Sequence, residues 1–217
     1  MLTINQYIDQ TKLDPTATAD DIVQLCEEAR KFEFFAVCIH GGFVKLAKRT
    51  ILGTTVKVCA VAGFPLGASA PVVKQFEAEQ AIADGADEID MVLNLGLLKS
   101  KEFSAVQEEI SLVKKTIGKN VLKVIIETCY LNSQEITQAS ELAVKAGADY
   151  VKTSTGFGSS GAHLQHIDLI KRAVDGKARI KASGGIRSLD VALSYLEAGV
   201  ERIGTSSGVS IVKELRQ

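Results

Sequence analysis

The chain has 217 residues, 46% hydrophobic and 24% charged, with a net charge of −1. That balance suits a globular fold of one large domain or two small ones and argues against nucleic acid or an anionic membrane as the main partner. No apolar run approaches the roughly 18 residues of a membrane span. The start MLTINQYIDQTKLD lacks a basic segment followed by an apolar core, so a cytoplasmic protein is expected.

Short apolar strands are expected near residues 6–11, 34–39, 56–62, 87–92, 121–126, 149–153, 179–183 and 201–204. Helical patterns of about 10–15 residues lie between them. Thr18 with Asp21, and Asn132 with Glu135, read as capping boxes, and Ser188 reads as the cap of a helix starting at Leu189. Three segments repeat one design: ADGADEIDMV, KAGADYVKTS and EAGVERIGTS. Each closes a helix at a glycine (Gly85, Gly147 or Gly199), places an acid two residues on, and enters a strand. About eight strand–helix units in series, without a Pro- or Ser-rich linker, predict a single-domain TIM (β/α)8 barrel over residues 1–217. An open doubly wound sheet is the runner-up, but GxGxxG is missing after the first strand. The four cysteines, Cys26, Cys38, Cys59 and Cys129, form no CxxC and read as reduced thiols.

Strand parity separates two faces. Ile89, Met91 and Leu93 oppose Glu88, Asp90 and Val92; Leu122, Val124 and Ile126 oppose Lys123, Ile125 and Glu127. Val151 opposes Lys152 and Ser154, while Ile180 and Ala182 oppose Lys181 and Ser183. One face is suited to helices. The other, which points into a barrel, carries Asp9, Cys38, Asp90, Lys123, Glu127, Lys152 and Lys181. Buried charge is costly unless paired or employed. A structural ion network would account for any one of these residues. Chemistry accounts better for the set, because glycine-rich loops follow directly.

Those loops are TSTGFGSSG, ASGGIRS and GTSSGVS. Gly184, Gly185, Ser206 and Ser207 fall after the seventh and eighth strands, where barrels commonly hold phosphate. Two lysines close to such a site suit imine chemistry. A lysine attacks a carbonyl only as the free amine. A second ammonium at about 5 Å, in an effective dielectric of about 20, disfavours the charged form by roughly 3 kcal/mol, or about 2 pKa units. The resulting iminium accepts electrons during C–C cleavage, and a carboxylate such as Asp90 can move the protons.

The stretches YIDQTKL, EIDMVLN, LKVIIET, VKTSTGF and KASGGIR resemble the deoxyribose-phosphate aldolase family nearly end to end and in order. The resemblance implies a cofactor-independent, metal-independent (β/α)8 enzyme. Its substrates would be small molecules: 2-deoxy-D-ribose 5-phosphate, or D-glyceraldehyde 3-phosphate with acetaldehyde. It implies Lys152 as the Schiff-base lysine, Lys181 as the lysine that tunes it or exchanges protons, and Asp90 as proton donor and acceptor through a water. Gly156, Gly184, Gly185, Ser206 and Ser207 would contact phosphate. Cys38, Lys123 and Asp9 are possible substrate-proximal residues. A homo-oligomer is possible. Gln10, Phe157 and the GSSGAH loop depart from common family patterns.

Other readings stay open at this point. His163 and His166 are spaced for a metal pair, but no third ligand stands at a fitting spacing. Another phosphate-binding barrel, or a non-catalytic binding protein, would keep the glycine loops without requiring both lysines.

Overall fold

The computed structural model describes residues 3–215. Eight parallel strands form a closed barrel: β1 (Ile8–Lys12), β2 (Ala36–Ile39), β3 (Lys57–Ala62), β4 (Glu88–Val92), β5 (Val121–Ile125), β6 (Tyr150–Lys152), β7 (Arg179–Ser183) and β8 (Arg202–Thr205). The ring closes where β8 pairs with β1, with Ile203 opposite Ile8. Every expected strand is present. The first begins two residues late because Ile4–Tyr7 forms a short 3-10 turn. The helices are α1 (Ala19–Phe32), α2 (Val44–Thr50), α3 (Pro71–Ala83), α4 (Leu95–Lys99), α5 (Phe103–Ile117), α6 (Ser133–Lys145), α7 (Leu164–Val174), α8 (Leu189–Glu197) and α9 (Gly208–Glu214).

Local chemistry explains the ends. In α1, Thr18 Oγ1 accepts from Asp21 N (3.3 Å) while Asp21 Oδ2 accepts from Thr18 N (2.8 Å). Asn132 and Glu135 make the same reciprocal pair at α6. Ser188 stands at the start of α8, but its side chain makes no cap bond; Glu214 of α9 accepts the Leu189 N–H instead, at 2.7 Å. The helix-ending glycines have φ of 109°, 86° and 98°, a region cheap only for glycine. The acids that follow fasten the bottom of the barrel. Asp87 Oδ2 accepts from Val58 N at 2.9 Å and from Lys48 Nζ at 2.9 Å. Asp149 Oδ2 accepts from Leu122 N and Lys114 Nζ, both at 2.7 Å. The third repeat uses backbone only, Glu201 N–H to Ile180 O at 2.9 Å.

The apolar parity builds a continuous layer between barrel and helices, including Ile89, Met91, Leu122, Val124, Val151, Ile180 and Ala182. A second, small apolar cluster lies inside the barrel: Leu13, Cys38, Cys59 and Val61, with Phe64 against it. The interior is therefore apolar on the β2–β3 side and charged elsewhere.

One buried ion pair sits outside the barrel. Lys74 of α3 and Glu109 of α5 meet at 2.7 Å, both side chains fully buried. Lys74 Nζ also donates to Val92 O (2.9 Å), and Glu109 Oε2 accepts from Asn94 N (3.0 Å). The pair thus holds the chain just beyond Asp90. Lys74→Met should cost about 3–5 kcal/mol, because it strands a buried carboxylate. The double variant Lys74→Met/Glu109→Leu should recover most of that loss in urea unfolding. Additive losses in the double variant would show that pairing is not what matters here.

Candidate active site

The strands β4 to β7 each deliver one charged side chain to the interior at nearly one level. Register places Asp90 beside Lys123 and Lys152 beside Lys181. Asp90 then collects all three ammoniums. Its Oδ2 accepts from Lys152 Nζ at 2.8 Å and Lys181 Nζ at 2.7 Å; its Oδ1 accepts from Lys123 Nζ at 2.8 Å and from the Cys59 thiol at 3.0 Å. Lys181 is held from its other side by Asp9 at 2.5 Å.

Below this layer, Arg202 on β8 donates from Nε to Asp9 Oδ1 at 2.8 Å, and its Nη2 bonds the same oxygen and Glu88 Oε2. Its guanidinium stacks on Phe35, 3.6 Å from the ring centre. Lys123 completes the net through Glu88 at 2.6 Å. Neither Arg202 nor Cys59 was singled out by sequence. Parity against Ile203 and Val58 was the available signal.

These pairings set the protonation states. Burial alone would raise Asp90, but Lys123, Lys152 and Lys181 outweigh it and hold the carboxyl well below the usual carboxylate range. Asp9 is likewise pushed up by burial and pulled down further by Arg202, Lys181 and Lys123. Burial opposes charge on Lys123, yet Asp90 raises it well above the ordinary lysine value. Lys181 is raised in the same way, by Asp9 and Asp90 against burial. Hydrogen bonding with Cys59 brings the Cys38 thiol down to about 7 against burial, with help from Lys181. Burial and the same neighbour push Cys59 up.

A cleft of ≈ 400 Å³ opens above this layer. Lys152 lies on its lining together with Gly156, Gly184, Gly185, Ser206 and Arg187. Ser207 is not on that lining, and its N–H is taken by Thr205 Oγ1 at 2.9 Å. Gln10 works from behind: its Oε1 accepts from Gly208 N (3.1 Å) and its Nε2 donates to Glu28 (3.0 Å), so it anchors α9 beneath the serine turn. The GSSGAH loop packs directly on Gly184. A Cβ on Gly161 would fall 2.1 Å from Gly184 O, so only glycine fits. Glu127 leaves the barrel wall in a left-handed conformation (φ 49°) and accepts from Thr155 N at 3.2 Å and from the Thr155 hydroxyl. It shapes the β6 loop from beside Lys152. Across the mouth, Phe157 meets Phe64 edge-on with ring centres 5.4 Å apart.

Among the described residues, the donor atoms of Cys38, Cys59 and Asp90 lie within 4.8 Å of one another. A cation there would have to displace three ammoniums from Asp90. His163 and His166 pack on each other, ring centres 5.2 Å apart, and belong to no such trio. No helix among the described residues is long and apolar enough to cross a membrane.

Comparison with known proteins places this arrangement. The family model described as DeoC/LacD family aldolase matches residues 3–214. The chain belongs to this family. It is 52% identical over 216 residues to a deoxyribose-phosphate aldolase of Carboxydothermus hydrogenoformans, covering 98% of this chain and 95% of that one. A deoxyribose-phosphate aldolase of Thermococcus kodakarensis is 51% identical over 214 residues, with 97% and 96% covered. A solved aldolase structure superposes with a TM-score of 0.95 at 44% identity, covering 100% of this chain and 97% of that one. The deoxyribose phosphate aldolase of Aeropyrum pernix, described as tetrameric, superposes at 0.87 and 33% identity, with 99% and 91% covered.

The depressed carboxylates make an acid-stability test of the network. Asp9 and Asp90 have folded values below their unfolded ones. Their stabilisation is complete above about pH 4 and is lost as pH falls towards the folded values. Asp9→Asn should start less stable at neutral pH, because Arg202 and Lys181 lose a counter-ion, and then lose stability less steeply below about pH 4. Urea midpoints across that range check it. An unchanged acid slope would mean that Asp9 is not held in its charged form by folding.

Proposed function

We propose that the chain cleaves 2-deoxy-D-ribose 5-phosphate into D-glyceraldehyde 3-phosphate and acetaldehyde, and joins them in reverse, through an imine on Lys152. The observation that carries this reading is the Lys152 amine at the lining of a glycine- and serine-rimmed cleft, sharing Asp90 Oδ2 with Lys181. Lys181 and Lys123 are enclosed by carboxylates below; Lys152 alone of the three lines the cleft.

The steps follow from that placement. Lys152 and Lys181 share one oxygen, so release of a proton from Lys152 removes a repulsion between neighbouring ammoniums. The free amine adds to the C1 aldehyde, and loss of water gives the iminium. A base takes the C3 hydroxyl proton. The C2–C3 bond breaks, its electrons flow into the iminium, and D-glyceraldehyde 3-phosphate leaves with a new aldehyde at the former C3. The enamine left on Lys152 takes a proton at carbon, and water releases acetaldehyde and the amine. Asp90 is too firmly ionised to store these protons, so it orients a water that passes them, while Lys181 keeps Asp90 in place. The phosphate fits the turn of Gly184, Gly185 and Ser206, with Gly156 opposite and Arg187 at the rim supplying charge. This chemistry asks for no cofactor.

We place the activity in the cytoplasm, where four free thiols persist. Val72 and Phe76, one turn apart on α3, are each 64% exposed beside Leu66 at 74%. A second copy of the chain is the partner this face suits.

Incubation with acetaldehyde and borohydride should fix an ethyl group on Lys152, located by peptide mapping, and EDTA should leave activity intact. Labelling chiefly at Lys181 or Lys123 would reassign the nucleophile. Activity lost to EDTA and restored by metal would replace the imine mechanism.

Ser206→Glu should weaken use of 2-deoxyribose 5-phosphate at least about tenfold through charge repulsion at the cleft. Unphosphorylated 2-deoxyribose should be affected little. Equal losses for both substrates would make the turn a structural element and not a phosphate cradle.

A further inference from the structure

Cys38 and Cys59 are register partners on the neighbouring strands β2 and β3. Both are fully buried on the inner face of the barrel. Adjacent strands lie about 4.8 Å apart, within the Cα separation that a disulfide spans. The two thiol sulfurs and an Asp90 oxygen already lie within 4.8 Å of one another. A disulfide requires the sulfurs to close to about 2 Å, by rotation about the two side chains.

We propose that Cys38 and Cys59 form a reversible oxidation site, closed to a disulfide by a small hydroperoxide, whose closure disorganises Asp90. Three features support it. The pair sits beside Lys123, whose Nζ donates to Cys59 Sγ at 3.3 Å, and Lys181 adds positive charge that favours a thiolate at Cys38. The Cys59 thiol donates to Asp90 Oδ1 at 3.0 Å, which orients its sulfur within the pair. Thr11, the register partner of Cys38 on β1, lines the cleft, so Cys38 lies one strand away from it.

The chemistry balances with that one oxidant. The Cys38 thiolate attacks one peroxide oxygen, the O–O bond breaks, and the departing hydroxide takes up the thiol's former proton as water. Cys38 is then a sulfenic acid. The Cys59 sulfur attacks the Cys38 sulfur, the S–O bond breaks, and the leaving hydroxide takes the Cys59 proton and departs as a second water. Two electrons pass from the sulfurs to the peroxide. The disulfide withdraws the thiol donor from Asp90 Oδ1 and pulls Cys59 away from Lys123. The carboxylate that positions Lys152 and Lys181 loses one of its four partners.

The test uses the reduced, full-length protein treated with hydrogen peroxide. Non-reducing peptide mapping should show the Cys38 and Cys59 peptides joined, with two hydrogens lost. Aldol cleavage should fall roughly tenfold, the worth of one hydrogen bond to a charged group, and dithiothreitol should restore it. Cys59→Ala should show no cross-link, added oxygen on Cys38, and no recovery with dithiothreitol once the thiol has passed the sulfenic stage. Separate oxygen additions on both cysteines of the wild type, a link to Cys26 or Cys129, or a correct link with unchanged activity would each overturn the proposal. The cross-link can be read whether or not the untreated protein cleaves the sugar phosphate, so failure of the oxidation site and failure of the aldolase reading can be told apart.

Discussion

The Asp90 carboxylate is the point on which the barrel interior turns. It receives three ammoniums and a thiol with two oxygens, and every one of these groups is buried. Water cannot replace it. Lys123, Lys152, Lys181 and Arg202 face Asp9, Glu88 and Asp90, with Glu127 buried beside Lys152, so the cations and carboxylates of the interior are matched. A dry interior tolerates a surplus charge poorly. Of the four cations, Lys152 is the one that lines the cleft.

The two halves of the interior divide the labour. On the β2–β3 side, Leu13, Val61 and Phe64 exclude water. On the β4–β8 side, charges are locked by short bonds to one another. The open end continues the division: aromatic rings of Phe64 and Phe157 on one side, backbone turns of glycine and serine on the other.

The strands, the closing glycines and two capping boxes were legible in the sequence because each rests on near neighbours and on parity. Asp90, Lys152 and Lys181 were legible for the same reason: a charge on the inner parity of a strand is conspicuous. Arg202 was not, since one arginine at the start of a short strand looks like a surface residue until Asp9, Glu88 and Phe35 are brought around it. The Lys74–Glu109 pair was hidden likewise, because its partners lie on different helices. Ser188 read as a cap, but a carboxylate from a later helix occupies that place. Ser207 read as facing the phosphate, while its amide serves its own turn and Ser206 and Arg187 line the cleft. Periodicity shows which way a side chain points and stays silent on what comes from afar to meet it.

The bonds between Asp9 and Arg202 span 193 residues, and those between Asp9 and Lys181 span 172. Contacts of such sequence separation carry the largest chain-ordering cost and form when most of the topology is already in place. During synthesis, β1 emerges early, and the two cations that hydrogen-bond its carboxylate, Lys181 and Arg202, arrive only with the last two strands. Until the ring shuts, the inner lysines stand in water as ordinary ammoniums. The charged interior is thus a property of the finished ring, and half-made chains leave its lysines and carboxylates apart in water.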